Sequence, residues 1–107
     1  MAKQGFKSEH WNDSEGRPLG GVSTGTGFTI SWQHGPLGRD GDRKAPNGAF
    51  IEDVIAAVID RIEYYQQSAF ASSHNARALA GLFDAAHALA ERTQEREARQ
   101  VEGTHAV

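Results

Sequence analysis

Arginines near the end of the chain have a spacing that favours anion binding. In the segment ERTQEREARQVEG, Arg92, Arg96 and Arg99 fall within about 60° of one another on a helix. A neighbouring acidic stripe is formed by Glu91, Glu95 and Glu102. One interpretation is a solvated face with pairs such as Glu95–Arg99, each worth a few tenths of a kcal/mol. The other is a phosphate or pyrophosphate shared by Arg92 and Arg96, because such an anion relieves their mutual repulsion.

An aromatic pair and an asparagine could recognise a nucleobase. The ring of Tyr64 or Tyr65 can stack on a purine, and the Asn75 amide can pair with an adenine edge. Ordinary structural roles explain the same residues, because Tyr65 lies on an apolar helix face and Asn75 lies near a helix start. The sequence therefore leaves both interpretations open.

A second group of cations lies in a long loop. The fourteen residues HGPLGRDGDRKAPN carry Arg39, Arg43 and Lys44. Loops of this length inside a compact domain are often functional, so this cluster is a candidate for a second anion site. A solvated loop without a ligand explains it equally well.

Other chemistries find little support in the residue pattern. The five histidines form neither an H-x-x-x-H pair nor an H-E-x-x-H motif, and the chain has no cysteine and no G-x-S-x-G elbow. The run GGVSTGTG, Gly20 to Gly27, lacks the lysine of a phosphate loop and precedes a predicted strand, so a turn or hairpin is favoured. We expect no metal, no cofactor and no catalytic residue.

Composition narrows the class of protein. A chain of 107 residues predicts a single domain, and so short a chain benefits from self-association. The absence of cysteine favours a reducing cytoplasm, and a net charge of −3 disfavours a DNA or RNA polymer as partner. We expect no membrane association, because the sequence has neither a long apolar run nor the apolar core of a signal peptide.

The elements that must position these residues differ between the two halves of the chain. Nine of the twelve glycines lie between Gly16 and Gly48, which predicts turns and strands there and helices afterwards. The clearest strand is Gly27 to Gln33, and its local partner is the stretch around Trp11 or Gly20 to Thr26. We predict an α+β fold with a strand and loop region at 1–48, an antiparallel helical hairpin at 49–101 and a tail at 102–107.

Both predicted helices have apolar faces. The first runs from about Gly48 to Gln67 with Asn47 as its cap, and the second from about His74 to Arg99 with Ser72 or Ser73 as its cap. Almost half of the first helix is covered by Phe50, Ile51, Val54, Ile55, Val58, Ile59, Ile62 and Tyr65. The seam of the second helix consists of Leu79, Ala80, Leu82, Phe83, Ala86, Leu89 and Ala90. A helix with one neighbour needs a narrower stripe, so the hairpin is expected to contact another subunit.

Three extended motifs resemble one known family. The segments GFTISWQHGPLGRDGDRKAPNGAFIEDVI, RIEYYQQSAFASSHNARAL and RTQEREARQVEGTH are similar, in collinear order over about residues 25–105, to the phage Thoeris anti-defence proteins of the first, sponge type. Residues 1–24 match more loosely. One departure is Gln100, where the family pattern has a glycine.

The resemblance implies a binding function without catalysis. Members of the family hold glycocyclic ADP-ribose signals made by TIR-domain proteins of bacterial Thoeris defence, and some hexameric members also take up cyclic di- or trinucleotides of CBASS immunity. The implied setting is the host bacterial cytoplasm, and the implied assembly is a homo-oligomer, either a dimer or a hexamer. Two alternatives are a protein-binding inhibitor that uses the helical face and a small nucleotide-cleaving enzyme.

The resemblance also implies ligand-binding residues. Carried over by position, the implied contacts are Tyr65, Asn75, Arg92 and Arg96, with Arg39 and Lys44 as weaker candidates. Asn75 and Arg92 are seventeen residues apart, which is roughly 25 Å along a straight helix. A ligand the size of cyclic ADP-ribose cannot bridge these two residues within one chain. The two ends of the site are therefore expected to come from different subunits.

Overall fold

The first half of the chain forms a three-stranded antiparallel sheet in a computed structural model that describes residues 5–107. The strands are β1 (Phe6–Asn12), β2 (Pro18–Gly25) and β3 (Phe28–Trp32), hydrogen-bonded in the order β1-β2-β3. The predicted strand is confirmed as β3, and its partner is β2, which contains most of the suggested stretch Gly20 to Thr26. The stretch around Trp11 is not its partner, because β1 pairs with the other edge of β2. The glycine-rich run forms β2 and a tight turn, in which Gly27 has a φ of +85°, so the hairpin interpretation is correct.

An aspartate organises the connection between β1 and β2. Asp13 Oδ1 accepts hydrogen bonds from the backbone N–H groups of Glu15 and Arg17 at 2.9 and 3.0 Å, and its Oδ2 accepts from Arg17 Nε at 2.8 Å. These hydrogen bonds, led by the one from the Arg17 backbone, lower the pKa of the Asp13 carboxyl below 3.8. The short side chain thereby performs the work of a backbone turn.

Two serines link the three strands on one sheet face. Ser8 and Ser23 are direct cross-strand partners with their Oγ atoms 2.7 Å apart. Ser23 also accepts a hydrogen bond from Trp32 Nε1 at 2.9 Å. This contact satisfies the polar group of the half-buried indole. Every residue of β1 is exposed, which explains why this strand has no clear alternation of apolar and polar residues.

The long loop is closed at its base by Asn47. Its side chain accepts from the backbone N–H of His34 at 2.8 Å and donates to the carbonyl of the same residue at 3.1 Å. The prediction that Asn47 caps the first helix is therefore wrong, because its amide is used to join the two ends of the loop. Two residues later, Ala49 pairs with β3 by donating to Ser31 O at 2.7 Å.

The C-terminal segment is fastened to the same loop. Gly38 donates its N–H to Gly103 O at 2.7 Å, and Arg43 Nη1 lies 2.5 and 2.9 Å from the two carboxylate oxygens of Glu102. Gly103 has a φ of +81°, and a Cβ there would collide with the Gly38 carbonyl. Glycine is therefore required for this close approach.

The second half forms two helices, α1 (Ile51–Gln66) and α2 (Ser73–Ala98), which pack against each other. The predicted α+β fold is confirmed. The short link 67–72 makes the pair an antiparallel hairpin. Ser72 is the cap of α2, as predicted, since its Oγ accepts from the Asn75 N–H at 3.0 Å.

The end of α2 is set by a residue in the left-handed conformation. Gln100 has a φ of +58°, which is the usual geometry of the position after a helix C-cap and strongly favours glycine. The departure noted from the family pattern falls at this turn. Glu102 lies beyond the helix and binds Arg43, so the prediction that it continues the acidic stripe of α2 is wrong.

The chain divides into two compact units. One contains the residues up to Phe50 together with Val101–Val107, and the other is Ile51–Gln100. The first unit thus consists of the sheet, the long loop and the C-terminal segment, and the second is the helical hairpin. Across the described residues, no helix has the length and hydropathy needed to cross a membrane.

Candidate functional site

The link between the helices is held by a side-chain amide. Gln66 Oε1 accepts from the backbone N–H of Ser72 at 2.9 Å, and its Nε2 donates to the Ser72 carbonyl at 3.1 Å. Within the link, Ser68 Oγ donates to Tyr65 O at 2.6 Å and accepts from the Phe70 N–H at 3.1 Å. These contacts fix the end of α1 against the start of α2.

Tyr65 and Asn75 are brought together at this link through Phe70. The Tyr65 and Phe70 rings are in edge contact, with centroids 6.4 Å apart and planes at 81°. Asn75 Nδ2 donates to the Phe70 carbonyl at 3.0 Å. Only one of the two amide hydrogens is used in this bond, so the second hydrogen and Oδ1 can pair with a donor–acceptor edge such as that of adenine.

A cation lies over the tyrosine pair. The Arg61 guanidinium carbon is 5.2 Å from the Tyr64 ring centroid and 5.0 Å from that of Tyr65. Its Nη2 also lies 3.4 Å from the Tyr65 hydroxyl. Together with Phe70 and Asn75, these residues form what we call the link cluster: Arg61, Tyr64, Tyr65, Phe70 and Asn75.

Arg92 and Arg96 lie in the last third of α2. That helix has 26 residues against 16 in α1, so its final turns extend along the helix axis beyond the start of α1. Arg92 is exposed, and it makes no ion pair with any residue of the described chain; Arg96 is half-buried. Glu95 is engaged elsewhere by an ion pair with Arg99, which is the pair that the sequence predicts.

The candidate residues of the hairpin do not converge in one chain. Tyr65 and Asn75 lie at the link, whereas Arg92 follows Asn75 by seventeen residues of uninterrupted helix, roughly 25 Å. The four candidate residues therefore fall into two groups, Tyr65 and Asn75 at the link and the two arginines at the other end of α2.

Arg39 and Lys44 belong to the unit that contains the sheet. Arg39 Nη1 donates to the Glu102 carbonyl at 3.1 Å, and its neighbour Arg43 pairs with the Glu102 carboxylate. The Lys44 backbone N–H donates to Leu37 O at 2.7 Å, while the residue itself is exposed. Two of the three loop cations thus hold the C-terminal segment, a structural use that the spacing of the residues alone does not reveal.

Sequence reasoning missed three residues in or near the link. Gln66 and Phe70 act through the backbone of the link, and no sequence pattern marks such contacts. Arg61 could have been found, because it precedes Tyr64 and Tyr65 by three and four residues, the spacing at which helix side chains touch.

The helical hairpin leaves much of its apolar surface uncovered. Within residues 51–98 only Ile59 is buried. Large apolar side chains remain 43–73% exposed at Ile51, Val58, Tyr64, Phe70 and Phe83. The predicted stripe of α1 is thus wider than its contact with α2 requires.

The described residues offer no metal centre built from several side chains. Within residues 5–107 no group of three or more His, Cys, Asp or Glu side chains is placed to hold a metal ion. The candidate residues instead offer aromatic faces, an amide and guanidinium groups, which recognise bases and phosphates.

The chain is similar in sequence to a phage protein. The chain is 46% identical over 77 residues to Thoeris anti-defense 1 of Bacillus phage SBSphiJ7. The match covers 72% of this chain and 51% of the phage protein, so the chain spans about half the length of that relative. No family model matches the chain.

Proposed function

Because this chain is a relative of the phage protein Thoeris anti-defense 1, we propose that it is itself an anti-defence protein that sequesters a signalling nucleotide. The proposed ligands are the glycocyclic ADP-ribose molecules made by TIR-domain proteins, held intact so that the Thoeris effector is not activated. The proposed setting is the cytoplasm of the infected bacterium.

The observation that carries this proposal is the division of the candidate residues into two half-sites. Tyr65 and Asn75 supply a ring and an amide for a purine, whereas Arg92 and Arg96 supply two guanidinium groups for a pyrophosphate. A cyclic ADP-ribose isomer contains both parts. Since the halves are roughly 25 Å apart on one helix, we place the link of one copy against the arginines of a second.

The uncovered apolar surface supports such pairing of copies. Ile51, Val58 and Phe83 are each at least 43% exposed in the single chain. Burying apolar area of this kind contributes roughly 25 cal/mol per Å². A two-fold dimer brings each surface against its own equivalent and creates the composite site twice.

Binding without cleavage follows from the chemistry of the proposed residues. A phenol ring, a carboxamide and two guanidinium groups bind the ligand, yet none of them acts as a general base near neutral pH. The ligand should therefore be released without chemical change. An enzyme would release a cleaved nucleotide instead.

A second nucleotide class is assigned to the loop. Lys44 is exposed and its ammonium has no hydrogen-bond or ion-pair partner among residues 5–107, which supports a role in holding an anion from outside. We assign Arg39 and Lys44 to cyclic di- or trinucleotides of CBASS immunity. Arg39 would have to exchange the Glu102 carbonyl for a phosphate.

The experiment that tests the proposed function is a release assay. TIR-domain product is mixed with the protein and applied to the Thoeris effector, and the mixture is then heated and applied again. We expect activation to be lost before heating and recovered afterwards, with the nucleotide unchanged by mass spectrometry. A cleaved product would favour an enzyme, and an inhibited effector without nucleotide uptake would favour a protein-binding inhibitor.

A further inference from the structure

Arg61 lies against two aromatic rings on the surface of α1. Its guanidinium lies between two adjacent rings, 5.2 Å from the centroid of Tyr64 and 5.0 Å from that of Tyr65. The rings themselves are 6.0 Å apart and tilted by 54°. Attraction between the cation and two ring faces restrains a side chain that is otherwise flexible.

The same cation has no carboxylate partner within its helix. The positions three and four residues away carry Ala57, Val58, Tyr64 and Tyr65, so no acidic side chain is placed to pair with it. Two other arginines of the chain differ in this respect, since Arg17 pairs with Asp13 and Arg99 pairs with Glu95. Among residues 5–107, the Arg61 side chain has only the two tyrosines as polar or ring partners.

We propose that Arg61 is a further ligand-binding residue, which donates hydrogen bonds to a phosphate of the nucleotide held at the link cluster. This inference rests on the proposed function. A guanidinium stacked on rings keeps its in-plane N–H donors available, and the planar fork suits phosphate oxygens. Among the described residues, only the Tyr65 hydroxyl, at 3.4 Å, lies near one of those donors, and that distance is long for a hydrogen bond.

The position of Arg61 gives it a distinct role from Arg92 and Arg96. It belongs to the same half-site as Tyr65 and Asn75, so the aromatic half of the composite site carries its own positive charge. A ligand seated there would meet cations from both copies. The ligand has a base beside a pyrophosphate. The aromatic ring would stack on the base, and the adjacent guanidinium would contact the phosphate.

The experiment tests the charge and the planar fork of Arg61 separately. Arg61→Gln keeps a planar polar side chain beside the rings but removes the charge, whereas Arg61→Lys keeps the charge and loses the fork. Affinity for a glycocyclic ADP-ribose is measured by calorimetry for the wild type, both variants and Arg61→Ala. The control is Arg77→Ala, which removes an exposed arginine of the same unit that contacts no aromatic ring within residues 5–107.

The expected order follows from the loss of one charge-assisted hydrogen bond. Arg61→Ala and Arg61→Gln should each weaken binding about ten- to hundredfold. Arg61→Lys should recover part of the loss, and Arg77→Ala should stay within about twofold of the wild type.

Two outcomes overturn the inference in distinguishable ways. If the wild type binds and Arg61→Gln binds equally well, Arg61 does not contact the phosphate and only this assignment fails. If the wild type does not take up the nucleotide at all, the proposed function fails and the role of Arg61 fails with it. Circular dichroism of each variant shows that the helices are retained.

Discussion

Gln66 holds both backbone groups of Ser72, accepting from its N–H at 2.9 Å and donating to its carbonyl at 3.1 Å. A single amide thus clamps the link between the two helices. The clamp fixes the end of α1, where Tyr65 lies, against the start of α2, where Asn75 lies. The aromatic half of the proposed site therefore depends on a residue that need not touch the ligand.

Replacing Gln66 should affect stability and binding together. Gln66→Glu keeps one oxygen acceptor but loses the donor to Ser72 O, and it brings a negative charge beside that carbonyl. We expect a loss of roughly 1–2 kcal/mol in the free energy of unfolding, measured by urea denaturation, and weaker ligand binding. The control is Gln67→Glu at the exposed neighbouring position. Equal effects of the two substitutions would contradict the clamp.

Replacing Gln100 by glycine should stabilise the protein. Gln100 has a φ of +58°, a conformation that costs a residue with a side chain roughly 1 kcal/mol relative to glycine. Gln100→Gly should therefore raise the melting temperature, as followed by calorimetry. In contrast, Gln94→Gly should lower the melting temperature, because glycine in the interior of α2 costs a similar free energy. A decrease for both would mean that the turn after α2 is not left-handed.

Asp13 should titrate below the ordinary aspartate range. Its pKa is lowered from 3.8, chiefly by the Arg17 backbone N–H. A lowered folded-state pKa means that its stabilising effect is present above the unfolded value and is lost as the pH falls through the folded value. NMR titration of the Asp13 carboxyl carbon measures this directly, and Asp13→Asn should remove that part of the acid dependence. A midpoint at or above 3.8 would contradict the turn geometry.

The sheet and hairpin could be predicted because their patterns are local. Alternation in Phe28, Ile30 and Trp32 marks β3, and the apolar spacing of the second half marks both helices. β1 could not be bounded, because it is exposed along its whole length and so carries no burial pattern. Strand pairing, rather than side-chain burial, defines it.

Contacts between distant segments could not be predicted, because the sequence pattern shows only local spacing. Asn47 looks like a helix cap in sequence, yet its amide joins His34 across the loop. Glu102 looks like part of a helical acidic stripe, yet it binds Arg43, which is 59 residues away along the chain. In both cases a tertiary hydrogen bond replaces the local one that the spacing suggests.

Arg39→Ala separates the two proposed nucleotide classes. Arg39 lies in the loop and contacts Glu102, whereas Tyr65 and Asn75 lie at the helical link. The substitution should weaken binding of a cyclic trinucleotide about tenfold or more, as expected for one charge-assisted hydrogen bond. Binding of a glycocyclic ADP-ribose should stay nearly unchanged. Calorimetric titration with each ligand checks this, and equal loss of both would argue for one common site.

Removing both arginines of α2 should abolish sequestration and spare the fold. Arg92→Ala with Arg96→Ala removes two charge-assisted contacts to the pyrophosphate, each worth about ten- to hundredfold in affinity. Alanine is a good helix former, and mild repulsion between the two cations is relieved. The melting temperature should therefore be kept or slightly raised, while calorimetry shows no uptake.

Complementation between two inactive variants tests most directly whether the site is shared by two copies. Asn75→Ala damages one half-site, and the Arg92→Ala, Arg96→Ala variant damages the other. In a two-fold dimer formed at random from an equal mixture, half of the dimers contain both variants, and each of these keeps one undamaged composite site. We predict that the co-refolded mixture binds glycocyclic ADP-ribose at about a quarter of the wild-type stoichiometry, although neither variant binds alone. A mixture in which mixed dimers form but no ligand binds would contradict the shared site.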